Sequence, residues 1–182
     1  MNKVKLRASP WQTAFANIDF KNVIVTLQDL AAANSLQVKI GEGNLTYSEK
    51  VNREYVKDRG TLDTVRDGDE EPVEVNFDFT WEYVRGPSSA STTSDGTPTI
   101  EDALKNVGAA ASWTSTDADG CAPYAIDIVI TNTPVPSACG DSEVITLADF
   151  RYESINHDIK AGTCSITGKC NVTDATVLRA AQ

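Results

Sequence analysis

The sequence holds one histidine and one methionine, and its 26 acidic residues outnumber 16 basic ones. Each shortage excludes something. An enzyme needs a base, a nucleophile or a metal, and the lone His157, beside Asp158, reads as part of a solvated loop between two strands. No GxSxG, Walker or GxGxxG pattern occurs, and Gly41-Glu42-Gly43 reads as a hairpin turn. Neither catalysis nor a cofactor nor a metal is expected. The balance 16 − 26 = −10 argues against a chain that grips nucleic acid by neutralising phosphates. Residues 1–13 mix Lys3, Lys5 and Arg7 with scattered apolar residues and have no continuous hydrophobic stretch. A signal peptide and a membrane span are therefore not expected, and the chain should fold in a cytoplasm. There the four cysteines should be reduced, and the sequons at Asn44 and Asn171 carry no glycan.

The cysteines fit no ligand or disulfide pattern. Cys164 and Cys170 fall on one strand face six residues apart, about 20 Å at roughly 3.3 Å per residue, too far for a shared metal or a bond. They read as small core hydrophobes. Cys121 and Cys139 precede two consecutive candidate strands, which in a hairpin sets them near opposite ends, so no disulfide is expected between them.

What is abundant is two-residue alternation. From Val73 to Tyr83, Val73, Val75, Phe77, Phe79, Trp81 and Tyr83 alternate with Glu74, Asn76, Asp78, Thr80 and Glu82. That period predicts a single strand with a large apolar face and a mostly acidic one. The acidic side must look into water, either outside the molecule or inside a pore.

Residues 1–17 read as an irregular arm, followed by strands at Ile18–Leu27 and Leu36–Ile40. Leu45, Tyr47, Val51 and Tyr55 alternate only in part, and residues 57–71, KDRGTLDTVRDGDEE, carry too much charge to pack alone, so 48–71 reads as a long loop. Residues 86–98 form a Gly/Pro/Ser/Thr surface loop. A helix should begin at Thr99, with Asp102 at the capping-box position, Ile100, Ala103, Leu104 and Val107 on one face, and Gly108 as its stop. Strands follow at Tyr124–Thr131, Glu143–Ser154 and Ala161–Thr173. At 182 residues with 41% hydrophobic content, this makes one domain of α+β class, mostly β, in which two packed antiparallel sheets are flanked by one α-helix.

Three blocks carry a family resemblance: RGTLDTVRDGDEEPVEVNFDFTWEYV (Arg59 to Val84), TIEDALKNVG (Thr99 to Gly108) and IKAGTCSITGKCNVTDATVLRA (Ile159 to Ala180). In order and spacing they resemble the major tail tube proteins of long, non-contractile-tailed bacteriophages, over about Leu36 to Ala180. The resemblance implies a structural virion protein of the tail, assembled in the host cytoplasm. Six subunits would close a β-lined ring, rings would stack into a tube, and the partners would be a tape measure protein, a tail terminator and DNA that passes without specific binding. The 48–71 segment would be the inter-ring contact, with Val51, Arg53, Tyr55, Lys57, Arg59, Leu62, Val65 and Arg66 as its contact residues. Glu74, Asp78 and Asp127 are the candidates for a negative lumen wall that repels phosphates. A tail terminator or head-tail connector, and a small-ligand-binding β-barrel, remain as alternatives.

Overall fold

The computed structural model describes residues 23–30, 32–38, 44–80, 98–133 and 142–180. The arm, Gly41-Glu42-Gly43, Trp81, Tyr83, the loop from 86 to 97 and Cys139 lie outside the described residues.

Ten strands are seen: β1 (Val23–Gln28), β2 (Ser35–Val38), β3 (Leu45–Ser48), β4 (Val51–Asp58), β5 (Thr61–Glu70), β6 (Val73–Thr80), β7 (Ile126–Asn132), β8 (Ser142–Asp158), β9 (Thr163–Cys170) and β10 (Thr176–Ala180). One helix, α1 (Ile100–Lys105), and a 3₁₀ turn at Gly108–Ala110 complete the described elements. The strands form two antiparallel sheets: an eight-stranded one in the order β2-β1-β7-β8-β9-β6-β3, with β10 added beside β8, and the separate hairpin β4-β5. The class is α+β and mostly β.

The 17-residue β8 is the seam of the large sheet. Its first part pairs with β7 and β10, and its second part, from Phe150 on, pairs with β9. Two register shifts mark the change of partner, one opposite Ile126/Ile128 and one between Tyr152 and Ser154. At the first, Asp149 takes a φ of 55°, the left-handed conformation a bulge uses to bend a strand. The two halves then bury their inner faces in one cluster. Val25, Leu27, Ile126, Ile128 and Leu147 come from one half, and Val73, Val75, Phe77, Phe79, Ile166 and both Cys164 and Cys170 from the other. Packing expected of two sheets is thus performed by two halves of one sheet. Phe77 holds the centre, with its ring 6.1 Å from that of Phe79 and 6.0 Å from that of Phe150. Burial pushes the Cys170 thiol up to about 12, and raises that of Cys164, which suits their role as apolar filler.

The capping box forms as the sequence requires: Asp102 N donates to the Thr99 hydroxyl and Thr99 N donates to the Asp102 carboxylate. The helix is shorter than expected, because Asn106 takes a left-handed φ of 53° and ends it. Ala103 and Leu104 are buried, while Val107, expected on the same face, is exposed. His157 also differs from its expectation. It belongs to the end of β8, and its Nε2 lies 3.0 Å from Glu101 Oε1, which ties the strand to the helix. Finally, Ile159–Ala180 is two strands, because residues 171–174 turn before β10.

Candidate assembly interface

The stretch read as a loop is a hairpin. The eight-residue β4 runs antiparallel to the ten-residue β5 in seven paired positions, around the two-residue turn Arg59-Gly60. Both turn residues have positive φ, 49° and 86°, the signature of a type I′ turn whose twist matches the strands. Charge kept the hairpin out of the core without preventing pairing, since its backbone bonds are made within the hairpin and every residue except the half-buried Gly68 is exposed.

Register sorts its side chains. Arg53 faces Asp67, Tyr55 faces Val65 and Lys57 faces Leu62, so these six share one face, together with Val51 at the base. Glu54, Arg66, Val56 and Thr64 occupy the other face. The structure therefore brings together six of the eight residues singled out for the contact segment: Val51, Arg53, Tyr55, Lys57, Leu62 and Val65. Arg59 sits in the turn and Arg66 on the opposite side. Val51, Tyr55, Leu62 and Val65 are 66%, 59%, 63% and 52% exposed, an apolar stripe left open among the described residues.

The hairpin is pinned at its base. Glu49 accepts a 2.8 Å hydrogen bond from the Ala175 backbone, and Lys50 bridges to Glu74 at 2.8 Å. Beside this base an open cleft of about 650 Å³ is lined by Glu70, Glu71, Pro72, Asn171, Val172, Thr173 and Asp174. Sequence reasoning passed over this cleft. Its signal was the acidic run Asp67-Gly68-Asp69-Glu70-Glu71, whose nearness to the β9–β10 turn depends on long-range contacts such as the Val73 N–H to Val172 carbonyl bond.

The lumen candidates fall in two places. Glu74 and Asp78 lie on the outward face of β6, where their cross-strand neighbours on β3 and β9 are Ser48, Lys169 and Ser165. The Lys50 ammonium, hydrogen-bonded to Glu74, holds its carboxyl below the usual range. This face is polar with mixed charge: Lys50 and Lys169 stand among its acids. Asp127 lies three strands away on β7, half-buried at the β8 bulge. It accepts a hydrogen bond from Asp149 N, and the Thr116 hydroxyl donates to the Asp149 carboxylate. Burial raises the Asp127 carboxyl, and the Asp149 charge adds to the rise. Asp127 thus ties β7 to the β8 bulge, while the Thr116–Asp149 bond and the 2.6 Å Arg151–Asp117 bridge hold Thr116 and Asp117 against β8.

Among the described residues no group of three or more His, Cys, Asp or Glu is placed to hold a metal, and no helix is long and apolar enough to cross a membrane.

Neither a family model nor a curated protein matches the sequence. Solved structures do match the fold. A chain of the PVC sheath-tube complex, from an extracellular contractile injection system in its extended state, aligns at 10% identity and a TM-score of 0.52, over 92% of this chain and 95% of that one. A chain of the sheath/tube terminator of the same kind of system aligns at 12% identity and a TM-score of 0.51, over 91% and 99%. The chain shares its fold, over almost its whole length, with components of tube-bearing injection assemblies.

Proposed function

We propose that this protein is the subunit of a phage-type tail tube, in which six copies close a ring and rings stack into a conduit through which DNA is ejected. The observation that carries this reading is the apolar stripe of the β4–β5 hairpin, exposed on a fold that occurs in tube assemblies. A stripe of Val51, Tyr55, Leu62 and Val65 on a projecting hairpin is stable in water only at a cost that a neighbouring subunit removes. The sheet also offers β2 and β3 as end strands, and a closed ring satisfies such edges without leaving any open. The role is structural. Contact with a tape measure protein and a terminator belongs to the same reading, as does assembly in the host cytoplasm.

A net charge of −10 per subunit suits a wall from which a duplex is repelled. Glu74 and Asp78 are its first candidates and Asp127, held in the bulge, the weaker one. Replacing Glu74 by Gln, which keeps an acceptor for Lys50, and Asp78 by Lys should leave tubes intact and slow DNA ejection in a salt-dependent way. Normal ejection through normal tubes removes both residues from the wall.

The equal likeness to a tube terminator chain favours a second reading, a terminator that forms one ring. Negative-stain electron microscopy over a range of protein concentrations separates the two. Sixfold tubes that lengthen with concentration support the tube subunit, and single rings support the terminator. A strictly monomeric species, even with tail initiator and tape measure proteins present, defeats both.

A further inference from the structure

The hairpin carries its charges unevenly. Residues 53–66 hold four basic side chains, Arg53, Lys57, Arg59 and Arg66, against three acidic ones, Glu54, Asp58 and Asp63, or 4 − 3 = +1. The rest of the chain then holds 12 basic and 23 acidic residues, or −11. Most opposed to the tip is the hairpin's own base, where Asp67, Asp69, Glu70 and Glu71 supply four negative charges within five residues. Lys57 and Arg59 make no ion pair among the described residues, and neither do Glu70, Glu71 and Asp174 in the basal cleft.

Tip and base cannot meet within one molecule. The ten residues of β5 hold them roughly 30 Å apart. Building on the tube reading, we propose that the exposed hairpin face docks on a second copy of this chain, with Lys57 and Arg59 at the tip entering the neighbour's cleft at Glu70, Glu71 and Asp174.

Two observations fix the occupant as another copy. The cleft is open and acidic, and the segment whose charge complements it is the one that also carries the uncovered apolar stripe. The stripe supplies the buried area, and the tip charges supply register, since a slipped hairpin would set its own acidic base against the neighbour's acids. Tip and base are different patches, so the contact is heterologous. Each docked copy leaves one tip and one cleft free, which makes the contact propagate along an axis instead of closing on itself.

A charge swap tests this. One variant reverses the tip, with Lys57→Glu and Arg59→Asp; an aspartate before Gly60 suits the type I′ turn, so the hairpin is kept. A second reverses the cleft, with Glu70→Lys and Glu71→Lys. Each alone should raise the protein concentration needed for assembly at least about tenfold, because like charges then face each other. Combining all four substitutions in one chain, or mixing the two variants, should restore assembly, and added salt should weaken both the parent and the rescued form. Circular dichroism of each variant checks that it is folded. If the parent assembles but the swap rescues nothing, or if either reversal leaves assembly unchanged, the tip-to-cleft contact is wrong while the tube reading stands. A parent that never assembles overturns both.

Discussion

Strand β6 and the β4–β5 hairpin are neighbours in sequence and both are β, yet they have opposite fates. In β6 the positions Val73, Val75, Phe77 and Phe79 are all buried, and between them stand Glu74, Asn76 and Asp78. In the hairpin the apolar positions Val51, Tyr55, Leu62 and Val65 share their face with Arg53, Lys57 and Asp67 and stay exposed. The difference lies in what else the inward face carries. A face that is apolar throughout can be removed from water, whereas one with an interleaved guanidinium and ammonium cannot be buried in a core without partners for those charges. An interface with a polar rim accepts that same mixture. One strand suits burial within the monomer; the other, under the proposed function, suits a contact between subunits.

The largest effect is expected where that contrast is sharpest. Phe77→Ala removes a ring packed against Phe79 and Phe150 and should cost about 3–5 kcal/mol in urea unfolding, enough to threaten soluble expression. A variant as stable as the parent would mean that β6 is not the strand that holds the core.

Gly168→Ala should come next, at about 1–3 kcal/mol. Gly168 stands opposite Tyr152 and Val75, and a methyl there would run into the Arg151 carbonyl and the Phe150 ring. Thermal unfolding measures it, and an unchanged midpoint would show that the seam at β8 can give way.

Asp127→Asn tests a half-buried charge outside either region. Burial raises the folded Asp127 carboxyl above its unfolded value, so its support for the fold is complete below about pH 4 and is lost as pH rises through the folded pKa. The asparagine keeps an acceptor for Asp149 N and carries no charge. The variant should match the parent in acid and exceed it at neutral pH, read as urea midpoints at the two pH values. Equal midpoints at neutral pH would show that the carboxylate is well solvated there.

The smallest effect on stability belongs to the hairpin. Tyr55→Ser with Leu62→Ser should shift the unfolding free energy of the monomer by no more than about 0.5 kcal/mol, yet impair assembly. Deleting residues 52–68 should likewise leave the body folded and abolish stacking. If the deletion unfolds the protein, the hairpin supports the core after all. If shortened chains still build full tubes, it is no contact.

Much of this was legible in the sequence. Strict alternation marked β6, the Thr99 and Asp102 pair marked the start of α1, and alternation at Cys164, Ile166 and Cys170 marked β9 with its buried thiols. The hairpin was not legible as one, because Asp, Lys and Arg in KDRGTLDTVRDGDEE masked the Arg-Gly turn and the pairing of β4 with β5. Its proposed contact residues could be named as a set from the sequence, but not as a face. That needed the register, and one slip would have sent Tyr55 and Val65 to opposite sides.

By itself, then, the sequence determined which strand faces are apolar, where the helix starts, and that the chain is acidic with a single histidine, since periodicity, capping and charge are local properties. Only the tertiary structure decided that one long strand, β8, bends at two bulges and lets two halves of one sheet pack together, that His157 reaches Glu101, and that the acidic run at the hairpin base meets the β9–β10 turn to form a cleft. Each of these joins residues far apart in the chain, and such pairings are selected by the packing of the whole core and not by any window of neighbouring residues.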